Sequence, residues 1–301
     1  MKLGFIGFGG AGYGLAKGLR GAGLVEVHFY DRMQETSPFQ EVIQRHAEET
    51  GAIKAENMAV LLSRVEVVIS CVTGAMAVSV AREASPHLNR RHLWADVNTA
   101  APGVKEEVAQ VVEKAGAAFA DAAILGAVPA FLHRVPILAS GNGAEALQRI
   151  MEPHEMNIRV IGSKPGQASA IKMFRSVFMK GLLSLLLETF TATHRYGVDE
   201  MVLTSIAESL DGIPFRETAR LQLTKGVVNA DRMAHEMEDV IETLEAMGVP
   251  AGMSRAAREK LRWCAGLGLR ERYGGELPHT LEEVLLALEG QQDWNNQAIS
   301  G

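Results

Sequence analysis

Strand-like segments stop at residue 162, and this change of pattern constrains the fold more than any other feature of the chain. Seven short runs rich in β-branched and aromatic residues precede it: LGFIG at 3–7, EVHFYD at 26–31, VEVVISCV at 65–72, HLWADVN at 92–98, AFADAAIL at 118–125, VPILAS at 135–140 and IRVIG at 158–162. Helical stretches separate them, and strands alternating with helices specify a mostly parallel sheet wound on both faces. Beyond Gly162 the sequence reads only as helices, punctuated by YGVDE, DGIPF, GVPAG and YGGELPH, with SKPGQ as the breaker before the first. The expectation is a doubly wound α/β domain over residues 1–162 and an all-α domain over 163–301, linked by a long helix. A chain of 301 residues that is 47% hydrophobic can fill two such cores. The tail EGQQDWNNQAISG is expected to fray.

The first strand runs straight into a glycine-rich turn. Gly7, Gly9 and Gly12 form G-x-G-x-x-G between a strand and a helix, the context that gives this pattern its meaning. Gly7 permits the tight turn, Gly9 lets the backbone approach a pyrophosphate, and Gly12 lets helix and strand pack closely. The anion would rest on the positive end of the helix, against Gly7, Phe8, Gly9, Gly10, Ala11 and Gly12. This predicts a Rossmann domain that takes NAD or NADP. Asp31 ends the second strand near the offset expected of a ribose-binding acid and favours NAD. Arg32 follows at once, and a guanidinium there suits a 2′-phosphate, so both cofactors stay open with NAD ahead.

In open parallel sheets ligands gather at the carboxyl ends of strands, which here also carry CVTGAMA and DVNTAAPG. Val72, Thr73, Asn98 and Thr99 are thus expected beside the nicotinamide. NTAAP also reads as a helix start, so Asn98 or Thr99 qualifies equally as a cap. Asp96 reads as structural.

GQASAIKMFRSVFMKGLLSLLLETF, residues 166–190, predicts a helix that is apolar on nearly every side. At about 1.5 Å per residue it would span roughly 45 Å if it continued to Arg195. Such a helix should be enclosed by other elements or by a second subunit, and with the apolar helices that follow it predicts a homodimer through residues 163–290. Lys172 is costly in that setting. Ser169, Lys172, Ser176 and Lys180 lie three, four and four residues apart, so they form a polar seam along one side. Lys172 either snorkels its ammonium to solvent or is a desolvated proton-transfer group.

Several function classes are disfavoured. A net charge of −6, from 30 basic and 36 acidic residues spread along the chain, provides no basic stripe for nucleic acid. Cys71 and Cys264 neither build a disulfide framework nor match a zinc-site spacing, so both are expected as reduced core thiols and no metal is expected. No apolar run reaches about 18 residues without a charge, and the first residues read as a strand and not as a signal peptide. A cytoplasmic enzyme without a membrane partner is the expectation.

The order of these motifs carries a resemblance. The glycine fingerprint, D-x-N-T-x-x-P at Asp96 to Pro102, D-A-x-x-x-G at Asp121 to Gly126 and G-x-x-x-x-x-K at Gly166 to Lys172 resemble the β-hydroxyacid dehydrogenase family. That family includes 3-hydroxyisobutyrate and 6-phosphogluconate dehydrogenases, and DAAILGAVPAFLHRVPILASG and KPGQASAIKMFRS look closer to a phosphogluconate-dehydrogenase-like branch. The resemblance spans residues 3 to about 260. It implies a Rossmann domain, an all-helical domain and a dimer. It also implies that Lys172 exchanges a proton with a β-hydroxyl while hydride moves to the nicotinamide, with Asn98, Thr99, Gly126 and Ser176 around a small carboxylate substrate.

Departures from the family pattern matter as well. Ser176 stands where the family places asparagine, Leu125 where it places a carboxylate-gripping serine, and Met179 where decarboxylating members carry glutamate. Gly126 and Ala127 amides, or His133 and Arg134, are left to hold the carboxylate, although FLHRVP also reads as a solvated turn. His235, beside Glu236, Glu238 and Asp239 on a charged helix, is a further candidate for the substrate cleft. Two other functions share this architecture: an imine reductase, against which Lys172 argues, and a cofactor-binding scaffold without turnover.

Overall fold

The computed structural model describes residues 2–24 and 26–290. Most of the tail expected to fray, from residue 291 on, lies outside the described residues. The first part of the chain runs β1 (Leu3–Ile6), α1 (Gly10–Gly21), β2 (Val27–Tyr30), α2 (Phe39–Thr50), β3 (Ile53–Lys54), α3 (Met58–Arg64), β4 (Val67–Ser70) and α4 (Ala77–Ala84). It continues with β5 (Leu93–Asp96), α5 (Pro102–Lys114), β6 (Ala118–Ile124), α6 (Val128–Phe131), β7 (Ile137–Ser140), α7 (Ala144–Met151) and β8 (Ile158–Gly162). All seven strands read from the sequence are present. The eighth, β3, is an exposed two-residue edge strand, too short to leave a periodic signal.

One sheet of order β3-β2-β1-β4-β5-β6-β7-β8 holds them. The order reverses between β1 and β4, the place where open α/β sheets leave a crevice for ligands. β1, β4 and β5 are buried at every position because helices cover both faces, which is why they read as unbroken apolar runs. One face packs Phe5, Leu15, Ala144 and Leu147; the other packs Leu61, Val80, Trp94 and Val108.

Pairing is parallel as far as β6, and β7 then runs antiparallel to β6. This reversal decides where the chain goes next. β6 overhangs the end of β5, since Asp96 pairs with Asp121 and residues 122–124 continue beyond it. β7 starts opposite that overhang, at Ile137 against Ile124, and descends until Ser140 faces Asp121. β8 follows β7 in parallel and brings Gly162 opposite Ser140. Asp96, Asp121, Ser140 and Gly162 therefore stand level across four strands, so the next helix begins beside the carboxyl end of β5.

That helix is α8 (Gln167–Tyr196), one element of 30 residues as the sequence predicts. It is followed by α9 (Asp199–Leu210), α10 (Phe215–Ala246), α11 (Gly252–Ala265), α12 (Leu269–Arg272) and α13 (Leu281–Glu289). The compact units divide at Phe178/Met179, inside α8, and not at the last strand. The reason is local: the Ala168 amide donates to Ser140 Oγ at 3.1 Å and the Ser169 amide to Asp121 Oδ2 at 2.9 Å, which ties the first turn of α8 to the sheet.

The second unit is entirely helical. Its α11 starts on the Glu188 carboxylate, which accepts from the amides of Met253 (2.7 Å) and Ser254 (2.8 Å) and from Ser254 Oγ (2.6 Å). Ile241, Leu244 and Val249 form one small core, and Val228, Leu269 and Val284 another. Among the described residues, no helix is long and apolar enough to cross a membrane.

Among the described residues, the enclosure expected for α8 is incomplete. Phe174 and Val177 are 72% and 75% exposed, and Leu183 and Leu187 are exposed as well. A helix apolar on all sides cannot bury every side against one layer of neighbours, and these side chains are what remains.

Candidate active site

The glycine-rich loop opens a cleft at the reversal point of the sheet. Gly7 holds φ at +88°, and a Cβ there would lie 2.5 Å from the Cys71 carbonyl oxygen, so β1 and β4 meet at a distance that only glycine allows. Gly9 and Gly10 have no neighbour within 4 Å of a built Cβ, and with Ala11 they are exposed. Helix α1 has no side-chain N-cap and no acid in its first turn, so its amides are left to a ligand. Open space above Gly9 and uncapped amides beside it are what a dinucleotide pyrophosphate requires, and the residues present fit that group.

The cleft has a volume of about 470 Å³, and Gly7, Gly9, Asp31, Arg32, Val72 and Thr73 line it. Asp31 also anchors the loop. Its Oδ2 accepts from the Phe8 amide at 2.7 Å and its Oδ1 from the Met33 amide at 2.8 Å. The Phe8 side chain turns the other way and stacks on Phe29 in the core, so only its backbone belongs to the loop. Met76 of the CVTGAMA segment lines the cleft as well, together with Met58, Val80 and Glu83, which sequence reasoning missed. Met76, Val80 and Glu83 recur four and three residues apart along α4, a helical face visible only once that helix is placed against β4.

Cys71 and Cys264 are free and half-buried. Burial pushes the Cys71 thiol far up, and the charge of Asp96 adds to this, which disfavours a thiolate at the cleft wall.

At the carboxyl end of β5 the chain builds a buried polar cluster. Lys105 Nζ, fully buried, lies 2.8 Å from Asp96 Oδ1, 2.9 Å from the Asp96 carbonyl oxygen and 3.4 Å from Asp121 Oδ1. Burial pushes the Asp96 carboxyl up, and the Lys105 ammonium pulls against it. Asp96 Oδ1 also accepts from the Asn98 amide at 2.9 Å, and Asn98 Nδ2 donates to Ser70 Oγ at 3.0 Å. Asp121 grips Ser169 through its amide and, at 2.7 Å, its hydroxyl. Asp96 is structural, as the sequence suggested, while Lys105 went unmarked because VKEEV looks like any solvated helix start.

Lys172 and Thr99 meet at the edge of this cluster, where Lys172 Nζ donates to Thr99 Oγ1 at 2.8 Å. Lys172 is half-buried, and the neighbouring Ile171 and Phe174 are exposed. Neither Asn98 nor Thr99 caps a helix: α5 starts from Ala101 with Pro102 at its first position. Their side chains are thus left for other partners, and Asn98 Oδ1 is buried without one. Gly74 fixes the approach of the two loops, since a Cβ there would fall 2.2 Å from the Thr99 carbonyl oxygen.

Ser176 donates its hydroxyl to the Lys172 carbonyl at 2.9 Å, so the donor expected for a substrate is already used within the helix and only acceptor capacity remains. Gly126 is exposed in the loop after β6. The solvated turn anticipated for His133 and Arg134 holds for Arg134, which is exposed, and not for His133. His133 is 5% exposed, packed against Gly18 of α1, with neither ring nitrogen hydrogen-bonded, and Arg134 pairs with Glu155. His235 belongs to α10 in the second unit, exposed, with its Nδ1 2.9 Å from the Asp231 carbonyl oxygen. Glu236 and Glu238 pair with Arg232 and Arg262 on the surface.

Residues 2–162 match the family described as the NAD binding domain of 6-phosphogluconate dehydrogenase, and residues 193–264 match a domain of unknown function, DUF1932. A conserved protein whose structure was described as similar to 3-hydroxyacid dehydrogenases is 34% identical, over 88% of this chain and 98% of its own, with a TM-score of 0.59. A conserved hypothetical protein from Sinorhizobium meliloti is 33% identical, over 87% of each chain, with a TM-score of 0.60. A reductive aminase from Aspergillus terreus, in complex with NADPH and ethyl-5-oxohexanoate, shares the fold at a TM-score of 0.73 and 17% identity, over 95% of this chain and 99% of its own.

Replacing Lys105 with Met would leave two buried carboxylates facing each other. Urea denaturation should register a loss of about 3–5 kcal/mol, the scale for breaking a buried ion pair from one side. The second prediction concerns acid. Burial first, and then Arg134, lower the His133 pKa. Its stabilising contribution is complete above the unfolded value of about 6.5 and is lost as pH falls toward the folded value. Wild type should therefore lose stability relative to His133→Asn between about pH 7 and 5; parallel unfolding curves would refute this.

Proposed function

The chain belongs to the family of the NAD binding domain of 6-phosphogluconate dehydrogenase, a nicotinamide-dependent oxidoreductase family, and on that premise we propose that it interconverts a β-hydroxy acid and its β-oxo acid. The observation that supports this reading is the pair formed by Lys172 Nζ and Thr99 Oγ1, 2.8 Å apart, next to the unpartnered Asn98 Oδ1. The bound nicotinamide supplies the hydride acceptor or donor. In this reading Lys172 takes the proton of the β-hydroxyl during oxidation and returns it during reduction. Thr99 Oγ1 accepts from the amine and so aims it, leaving the threonine hydroxyl hydrogen for the substrate. Asn98 is held rigid by Ser70 and Asp96 and offers its Oδ1 to a donor.

Carboxylate recognition falls to backbone. Arg134 is engaged by Glu155 and the Leu125 amide by the Pro136 carbonyl at 2.8 Å, which leaves the Gly126 and Ala127 amides as the candidates. Met179 at the position of the family's glutamate argues against coupled decarboxylation. The exposed Phe174, Val177, Leu183 and Leu187 support assembly as a homodimer through α8 and the helices after it.

A panel of 3-hydroxy acids, 3-oxo acids and cyclic imines, assayed with NAD(H) and NADP(H), tests the reading. Lys172→Ala should lower kcat on a hydroxy or oxo acid by about 10²-fold or more, the scale of general acid–base catalysis, with cofactor affinity kept. Turnover confined to imines, or unchanged by the substitution, would overturn it. Light scattering at about micromolar concentration should return the mass of two chains; a monomer would refute the dimer.

A further inference from the structure

The acid and the base that decide between NAD and NADP are usually sought at the end of the second strand. Here a third residue intervenes. Arg32, the side chain suited to a 2′-phosphate, donates from Nη2 to Glu83 Oε2 at 2.5 Å. Both residues line the cleft that Gly7, Gly9 and Asp31 open. Glu83 reaches it from α4, on the far side of the reversal point, 51 residues away from Arg32 in sequence.

Charge at this end of the cleft is unbalanced. Asp31 and Glu83 bring two carboxylates, and among the described residues that line the cleft Arg32 is the sole cation. Asp31 is fixed by the Phe8 and Met33 amides, and each of its oxygens keeps a second lone pair for a ribose hydroxyl. Tyr30, in the same cleft, responds to this field: burial first and then Glu83 and Asp31 push its phenol up, with Arg32 opposing. A ribose bearing two hydroxyls meets acceptors here. A 2′-phosphate, carrying up to two negative charges, meets two carboxylates and a guanidinium already in use.

We propose that Glu83 is a cofactor-specificity residue that selects NAD over NADP by occupying Arg32 and adding negative charge where a 2′-phosphate would bind. The proposal rests on the nicotinamide-dependent reading of the same cleft. Both side chains are largely exposed, at 59% and 38%, so the pair contributes little to stability and can be altered without unfolding the chain. Its role lies in discrimination, where a like charge acts by exclusion.

The test is direct titration of NADH and NADPH, followed by nicotinamide fluorescence and calorimetry at fixed ionic strength, into wild type, Glu83→Gln, Arg32→Ala and the double variant. Circular dichroism checks that each is folded. Wild type should bind NADH at least about tenfold more tightly than NADPH. Glu83→Gln should tighten NADPH about tenfold and change NADH by less than about twofold, the effect expected from one nearby like charge at a wet surface. Most of that gain should vanish in the Arg32→Ala background. A wild type that prefers NADPH, a ratio unmoved by Glu83→Gln, or an equal gain without Arg32 would overturn the proposal. Failure of every folded variant to bind either dinucleotide would overturn the nicotinamide reading itself, a separate result.

Discussion

The buried ammonium of Lys105, set between the carboxylates of Asp96 and Asp121, is the interaction on which the site depends. Two carboxylates on adjacent strands at the same level of a sheet would repel in a medium of low dielectric. The lysine from α5 turns that repulsion into a junction, and each carboxylate then has an oxygen or a second contact to spend elsewhere. Asp96 spends it on the Asn98 amide and Asp121 on Ser169, so one cation fixes the loop after β5 and the start of α8 together. Lys172 lies three residues beyond Ser169, and Thr99 one residue beyond Asn98. Their contact at 2.8 Å is the outward end of a network whose inner end is inaccessible to water. An ion pair of this kind is a poor source of net stability and a good source of registration.

Much of this could be read from the sequence, for identifiable reasons. Buried central strands such as LGFI and VVIS leave unbroken apolar runs, and Gly7 and Gly12 mark backbone approaches that no other residue permits. Ser169 and Lys172 share a helix side, which a spacing of three already states. Other features had no linear signal. Lys105 sits in a charged helix start and differs from a surface lysine only through strands β5 and β6, which lie before and after it. His133 looks like a turn residue until α1 offers the notch at Gly18. Leu132 takes a left-handed φ of 50° beside it, a conformation that tertiary packing imposes against local preference.

The reversal at β7 links the two kinds of feature. The antiparallel turn uses the overhang of β6 to bring the chain back to the level of Asp96 and Asp121. A one-residue slip in that pairing would exchange the two faces of β6 and take Asp121 away from both Lys105 and Ser169. The functional geometry is therefore specified by strand register as much as by the identity of the polar residues.

The Lys172–Thr99 contact joins residues 73 apart in sequence, whereas the Phe8–Asp31 contact that shapes the dinucleotide loop spans 23. Closing a long loop costs more entropy than closing a short one, and contacts of high sequence separation dominate the slow part of folding. The two halves of the site consequently differ in when they can exist. The nucleotide cradle needs only the first few elements, while the lysine reaches its threonine after β6, β7 and β8 have all taken their places. A partly folded chain would hold the cradle without the pair, which makes the Lys172–Thr99 hydrogen bond a mark of the completed first unit.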